Sequence, residues 1–169
     1  LRKTYGEKVA VKGLDFQVEK GQIFGLLGPN GAGKTTTIEC ILGTKARDRG
    51  EVKLLGRGVG PHDKNLYERV GVQFQQDFFP DRIRVGEMCR MIAALYQNPI
   101  DWASQLQRFG LASFADQEVA KLSGGERQKL SVLLAMINRP EVVFLDELTT
   151  GMDPRARREI WSLLKEENE

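Results

Sequence analysis

Nine residues near the start of the chain have the types and spacing of a phosphate-binding loop. Residues 28–36 read GPNGAGKTT and match the pattern G-x-x-x-x-G-K-[ST]. Glycines let backbone N–H groups approach an anion closely, and a helix beginning near Lys34 adds its positive end. Lys34 can bring its ammonium group to the β- and γ-phosphates, and the Thr35 hydroxyl can bind Mg²⁺. The motif therefore predicts a nucleotide site.

The segments on either side of this loop have the character that the motif requires. Residues 23–27 (IFGLL) are apolar and short enough for a buried strand. Residues 35–42 carry apolar side chains at helical spacing and are followed by Gly43, a residue typical of helix ends. The alternative is a glycine-rich turn that matches the pattern by accident, and both flanks argue against it.

A second group of chemically capable residues follows an apolar strand predicted at residues 142–145. Asp146 and Glu147 come directly after it, where an α/β sheet presents its functional groups. Asp146 can hold the Mg²⁺ shell, usually through water, and Glu147 can polarise an attacking water as a general base. Two carboxylates solvated at a strand end are the alternative, which the phosphate-binding loop makes less favourable.

The segment at residues 122–128 (LSGGERQ) allows two interpretations. Ser123 and Glu126 form a capping box that opens a helix through Ile137, and this account needs no function. The two glycines between them expose backbone N–H groups at a positive helix end, which is again an anion site.

Glutamines and one tyrosine are further candidates. Gln73, Gln75 and Gln76 crowd the end of a strand predicted at residues 70–74, where an amide can bind Mg²⁺ or a water, or be solvated. Tyr5, the aromatic residue near the start, either packs against the protein or stacks on a base.

The remaining pattern predicts an α/β fold. Residues 4–20 alternate loosely and suggest antiparallel strands, and residues 51–55 suggest another strand. Three further helices are predicted from apolar side chains at helical spacing: Met88, Met91, Ile92 and Leu95; Trp102, Leu106 and Phe109; Ala156, Ile160, Leu163 and Leu164. Residues 76–120 therefore look like a helical insertion in an α/β core.

Composition limits the classes of protein that fit. The 169 residues suit one domain, and 25 Lys and Arg against 23 Asp and Glu provide no field that would attract nucleic acid. Cys40 and Cys89 have no metal or disulfide spacing and are expected to be small core residues. No apolar run is long enough to span a membrane, so composition favours a cytosolic domain.

Four segments together resemble the ATP-binding subunits of ABC transporters, over essentially the whole chain. Residues 28–35 (GPNGAGKT) resemble Walker A and residues 142–147 (VVFLDE) resemble Walker B. Residues 122–128 resemble the signature motif, and residues 150–153 (TGMD) resemble the D-loop. The signature discriminates this family, because Walker A alone indicates only a P-loop NTPase. The opening of the chain is most similar to ATPases of drug-resistance-type exporters.

The resemblance implies a P-loop NTPase fold of the RecA type, with a mostly parallel sheet, an N-terminal antiparallel β subdomain and an inserted α-helical subdomain. It implies one ABC ATPase domain, with residues 1–75 and 121–169 as its core and residues 76–120 as the helical subdomain. ATP and Mg²⁺ are the implied cofactors, and Gln75 resembles the Q-loop glutamine, with Gln73 and Gln76 as alternatives.

The same resemblance assigns roles to individual residues. It assigns catalysis to Glu147, Gln75 and Lys34, and Mg²⁺ binding to Thr35, Gln75 and Asp146. It assigns ATP binding to Tyr5, Gly28, Pro29, Asn30, Gly31, Ala32, Gly33, Lys34, Thr35 and Thr36, and in trans, from a second subunit, to Ser123, Gly124, Gly125 and Asp153.

The implied protein is a homodimer or heterodimer of ATPase domains bound to a transmembrane permease on the cytoplasmic face of a membrane, with export as its function and no nucleic-acid partner. The alternatives are a soluble ABC ATPase acting on the ribosome or DNA, and a nucleotide-binding fragment without hydrolysis. Leu148 and Met152 depart from the usual family residues, and no switch histidine follows Glu147. The last predicted helix leads to no strand, so we expect the sequence to be cut short and this piece to hydrolyse ATP poorly.

Overall fold

The computed structural model describes residues 1–60, 63–74, 78–146 and 154–167. Within these ranges helices and strands alternate in the order expected of an α/β protein. The chain divides into two compact units, Leu1–Lys64 and Asn65–Glu169. The division into a core and a helical subdomain at residues 76–120 stays a prediction.

The first unit contains two short hairpins and the helix that follows the phosphate-binding loop. Its strands and helix are β1 (Lys3–Tyr5), β2 (Lys8–Val11), α1 (Lys34–Ile41), β3 (Lys53–Leu54) and β4 (Arg57–Gly58). β1 pairs antiparallel with β2, and β3 pairs antiparallel with β4. The β3–β4 turn has positive φ at both central residues, 53° at Leu55 and 75° at Gly56, as a two-residue hairpin with the twist of its strands requires.

The predicted strand at residues 23–27 is not formed, and residues 12–20 are not strands either. A strand exists only where a neighbouring backbone completes its hydrogen bonds. No described strand pairs with residues 23–27, and Leu27 is 92% exposed. Phe16 and Phe24 stack with ring centroids 4.8 Å apart, which joins the two segments through side chains without a ladder.

The second unit is mainly helical around one parallel strand pair. After the short helix α2 (Lys64–Tyr67) its elements are β5 (Val70–Gln73), α3 (Val85–Ala93), α4 (Trp102–Arg108), α5 (Gly124–Met136), β6 (Val142–Leu145) and α6 (Pro154–Glu167). β5 and β6 run parallel with Val70 opposite Val142 and Gln73 opposite Leu145. Among the described strands this is the only parallel pair, and β6, the apolar strand predicted at residues 142–145, is half-buried.

The core of this unit is formed by the inner faces of α3, α4, α5 and α6. Leu106 and Phe109 are 2% exposed, as their helical spacing predicted, and Leu130 and Leu133 are 0% exposed. The apolar face predicted for α3, formed by Met88, Met91, Ile92 and Leu95, is wrong in part. Its buried residues include Val85, Met88, Cys89 and Ala93, whereas Met91 and Leu95 are exposed because the helix is rotated toward Val85.

Helix α5 packs closely on β5 because glycine is present at residue 71. A Cβ atom there would collide with the Ala135 carbonyl oxygen and lie 3.1 Å from the Pro140 ring. At the far end of α5 the buried Asn138 amide donates to three carbonyl oxygens, those of Tyr67, Glu68 and Val70, at 3.0–3.2 Å. These contacts fix the helix against the strand.

We therefore expect Gly71→Ala to destabilise the protein strongly. The new methyl group meets backbone that cannot rotate away, and overpacking of this kind costs about 3 kcal/mol. For a domain of this size the melting temperature should fall by roughly 6–12 °C. Gly58→Ala is the matched control, because no atom lies within 4 Å of its added Cβ, and it should melt close to the parent.

Both cysteines lie in the core, as predicted. Cys40 and Cys89 are unpaired and 0% exposed. Burial raises the pKa of the Cys89 thiol to about 12, so it is protonated at neutral pH and unreactive. In the described parts of the chain, no helix combines the length and the apolar character needed to cross a membrane.

Candidate functional site

The phosphate-binding loop ends at a helix whose first turn has no side-chain cap. Gly33 is the N-cap residue of α1, with φ 90°, and it has no side chain to accept the first N–H groups. By contrast, α4 is capped by Asp101 and α5 by Ser123. An uncapped N-terminus presents backbone donors and a positive dipole end to an anion.

Lys34 lies across this loop. Its Nζ donates to the carbonyl oxygens of Gly28 at 3.0 Å and Pro29 at 3.1 Å. The loop is tightened further by the Ala32 N–H, which donates to the Pro29 carbonyl oxygen at 3.1 Å. The ammonium group is thus held over the exposed residues 28–32, where a phosphate group entering the loop would meet it. The residues present fit a nucleotide polyphosphate.

Residue 33 must be glycine because strand β2 lies directly beside it. The register of β1 and β2 shifts between Lys3 and Thr4, which leaves Ala10 as an extra residue in β2. A Cβ atom at Gly33 would collide with the Ala10 carbonyl oxygen. Sequence reasoning missed this contact, because the bulge has no clear signal in the alternation of residues 8–11.

The other loop residues predicted to bind ATP lie where the motif placed them. Thr35 and Thr36 occupy the first turn of α1 and are half-buried, and Thr37 donates its hydroxyl to the Gly33 carbonyl oxygen at 2.8 Å. Asn30 and Gly31 are exposed at the tip of the loop, and Gly31 has φ 80°.

Tyr5 lies at the end of β1 and is 44% exposed. The Nζ atoms of Lys3 and Lys45 lie 5.3 and 5.8 Å from its ring centroid. The ring attracts these two cations. It is also exposed enough for a base to stack on it. Stacking on a base stays a prediction.

The acidic end of β6 lies beside the end of β5. Asp146 is 4% exposed, and its N–H donates to the Gln73 carbonyl oxygen at 3.0 Å. Gln73 is equally buried, at 3% exposed. The structure therefore brings Asp146 and the alternative glutamine Gln73 together at one sheet edge. Gln75, Gln76, Glu147 and Asp153 lie outside the described residues.

The helix start at residues 123–126 has the capping box that the sequence predicted. The Glu126 N–H donates to Ser123 Oγ at 3.3 Å, and the Ser123 N–H donates to Glu126 Oε2 at 2.8 Å. Ser123 and Gly124 are exposed and Gly125 is half-buried. The serine hydroxyl accepts one hydrogen bond here and keeps its own proton to donate, so capping does not use up the site.

Two ion pairs join α6 to its neighbours. Lys129 Nζ lies 2.5 Å from Glu159 and links α5 to α6, and Arg108 lies 3.3 Å from Glu166 and links α4 to α6. The side chains are partly exposed, so each pair adds little stability. The two pairs thus connect α6 to α4 and to α5, the helix whose N-cap is Ser123.

The glycine loop before α1, with Lys34 across it, is typical of nucleotide-binding domains of the P-loop type. A family model described as "ABC transporter" matches residues 11–150, and the chain belongs to the family of ABC transporter ATP-binding domains. The family binds ATP, and its solved structures share this fold, which confirms the predicted fold class.

Individual relatives agree with this assignment. The chain is 43% identical to Nod factor export ATP-binding protein I of Ralstonia nicotianae, over 98% of this chain and 53% of that protein. It is 41% identical to the protein of the same name from Paraburkholderia xenovorans, over 98% of this chain and 56% of that protein. The chain thus spans about half the length of the curated relatives it matches.

Solved structures show the same fold. An ATP-binding cassette of an ABC transporter aligns with a TM-score of 0.87 at 23% identity, covering 99% of this chain and 74% of that one. The cbiO1 protein of Clostridium perfringens, part of the ABC transporter complex cbiONQ, aligns with a TM-score of 0.84 at 26% identity, covering 99% and 71%.

Proposed function

We propose that this chain binds and hydrolyses ATP as the ATPase subunit of an ABC exporter. The observation that carries the proposal is the Lys34 ammonium group, held over an exposed glycine loop at the uncapped start of α1. Charge-assisted hydrogen bonds from that group and from the loop N–H groups would hold the β- and γ-phosphates. Tyr5 would stack on the adenine.

Mg²⁺ is the proposed second cofactor, with Thr35, Asp146 and Gln75 as its holders. Held by these residues, the ion would supply positive charge beside the phosphates. Asp146 supports this role because it follows the last residue of β6, at the carboxyl end of a parallel strand, where an α/β sheet presents its functional groups. Glu147, the next residue, would accept a proton from the attacking water as the general base.

A second ATPase domain completes the proposed site. Ser123, Gly124, Gly125 and Asp153 of one copy would contact the triphosphate held by the loop of the other, in a homodimer or heterodimer. The start of α5 supports this arrangement, because Ser123 and Gly124 are exposed at the positive end of the helix.

The proposed partner is a transmembrane permease, with the ATPase on the cytoplasmic face of the membrane and no role for nucleic acid. The relatives are named as export ATP-binding proteins, and cbiO1 belongs to a transporter complex. By analogy we propose export as the direction of transport. A histidine supplied beyond Glu147 would raise hydrolysis above that of residues 1–169 alone.

The test begins with calorimetric titration of the intact protein with Mg-ATP, with ATP in excess chelator as the control. Binding is expected in the first case, and its absence would contradict the proposal.

Purification from solubilised membranes then identifies the partner. Co-purification of an integral membrane protein is the expected result, whereas ribosomes or DNA in its place would indicate the soluble class. Binding with no phosphate release would indicate a non-hydrolysing nucleotide-binding domain.

A further inference from the structure

Two glutamines in the second unit bury amide atoms of opposite polarity. Gln73 Oε1 and Gln128 Nε2 are buried without a hydrogen-bond partner, and no other side-chain polar atom is so placed in the described part of the chain. The Gln73 Nε2 is already used, since it donates to the Phe74 carbonyl oxygen. An unpaired acceptor and an unpaired donor each carry a desolvation cost that one hydrogen bond between them would remove.

The two glutamines lie within about one strand residue of each other along the packed elements. Helix α5 runs opposite to β5, because Asn138 donates to the Val70 carbonyl oxygen and Ala135 lies against Gly71. From Ala135 back to Gln128 is seven helical residues, about 10.5 Å. Three strand residues beyond Gly71 cover about 10 Å. Gln128 is therefore level with Phe74 and about 4 Å beyond Gln73, an offset that two glutamine side chains can span.

The two side chains also lie on the faces that meet. Side chains alternate along a strand, so Gln73 is on the same face of β5 as Gly71, which packs on α5. Seven residues are nearly two turns of helix, so Gln128 is on the same face of α5 as Ala135. The orphaned donor and acceptor thus point into one interface.

We propose that the side chains of Gln128 and Gln73 rotate toward each other in the folded protein, so that Gln128 Nε2 donates a hydrogen bond to Gln73 Oε1. Gln73 lies two residues before Gln75, and Gln128 lies three residues after Gly125. The pair makes both glutamines positioning residues, which couple the strand leading into Gln75 to the helix that starts at Ser123. Its effect on ATP turnover rests on the proposed function, whereas the hydrogen bond itself does not.

A melting cycle in the intact protein tests the bond. Gln73→Met and Gln128→Met each leave one amide buried without its partner, so each should lower the melting temperature by about 4 °C. The double variant replaces both by apolar groups of similar shape and should recover most of the loss, except for the part that comes from the Gln73 bond to the Phe74 carbonyl oxygen. Gln107→Met, at an exposed residue of α4, is the control and should not change the melting temperature.

If the melting-temperature changes of the two single variants simply added in the double variant, the proposed hydrogen bond would be wrong. Two independent orphaned amides would instead give single variants that melt higher than the parent, because each removes an unsatisfied polar group. Should a variant fail to fold, the parent decides the matter: a nuclear Overhauser contact between the Gln128 side-chain amide protons and the Gln73 side chain is expected. Absence of this contact both with and without Mg-ATP would overturn the bond.

ATP turnover tests the positioning role separately. At a temperature well below melting, each single variant should lose at least threefold in kcat with less than a twofold change in KM, and the double variant should recover most of the loss. Unchanged kcat in the single variants would overturn the positioning role. If the parent binds no ATP, the proposed function fails, and the melting cycle still decides whether the two amides pair.

Discussion

Replacement of Lys34 by alanine should abolish useful affinity for Mg-ATP. The ammonium group lies over the loop within 3.1 Å of two carbonyl oxygens and is the one side-chain cation of residues 28–36. Hydrogen bonds to charged groups contribute about 1.5–3 kcal/mol each, and two such bonds to phosphate correspond to at least about 100-fold in the dissociation constant. Calorimetric titration measures the loss directly.

Lys20→Ala is the matched control for this change. Lys20 is exposed and belongs to the same unit, so its removal changes the net charge equally without touching the loop. It should bind Mg-ATP like the parent. Equal affinity of Lys34→Ala and Lys20→Ala would show that the loop does not hold the phosphates. The melting temperature of Lys34→Ala should stay close to that of the parent, because its side chain bonds only to exposed loop carbonyls.

Replacement of Glu147 by glutamine should separate binding from hydrolysis. The amide has the shape of the carboxylate but cannot accept a proton from water, and a general base contributes about 10²–10⁴-fold to a rate. We expect kcat to fall by at least about 100-fold while Mg-ATP affinity is retained. With ATP bound and not consumed, the dimer should accumulate, which size-exclusion chromatography with Mg-ATP measures.

Glu7→Gln is the control for the Glu147 variant, since Glu7 is exposed in the turn between β1 and β2. It should hydrolyse ATP at the parent rate and should not accumulate as a dimer. Hydrolysis by Glu147→Gln at that same rate would assign the general base to another group.

Local signals predicted the helices and the nucleotide loop well. The capping box at Ser123 and Glu126, the helical spacing of Leu106 and Phe109, and the motif before α1 each depend on residues close in sequence, and all are present in the structure. Chemistry that needs a short segment was therefore visible before any tertiary contact was known.

Features that depend on distant partners were not predicted. Residues 23–27 have the composition of a strand, but composition does not supply the neighbouring backbone that a strand requires. Nothing in the sequence indicated that Gln73 is buried, because a glutamine at a strand end can equally well be exposed to solvent. Its surroundings are set by Gly71 and α5, which pack against the strand.

The extra residue in β2 makes the nucleotide loop mechanically asymmetric. At its helical end, Gly33 abuts the Ala10 carbonyl oxygen, whereas no atom would crowd a Cβ at Gly31. We therefore expect the loop to adjust to an incoming triphosphate near Gly31 rather than near Gly33. A spectroscopic label at Asn30 should therefore report nucleotide binding. A label near Ala10 should show no change when nucleotide binds.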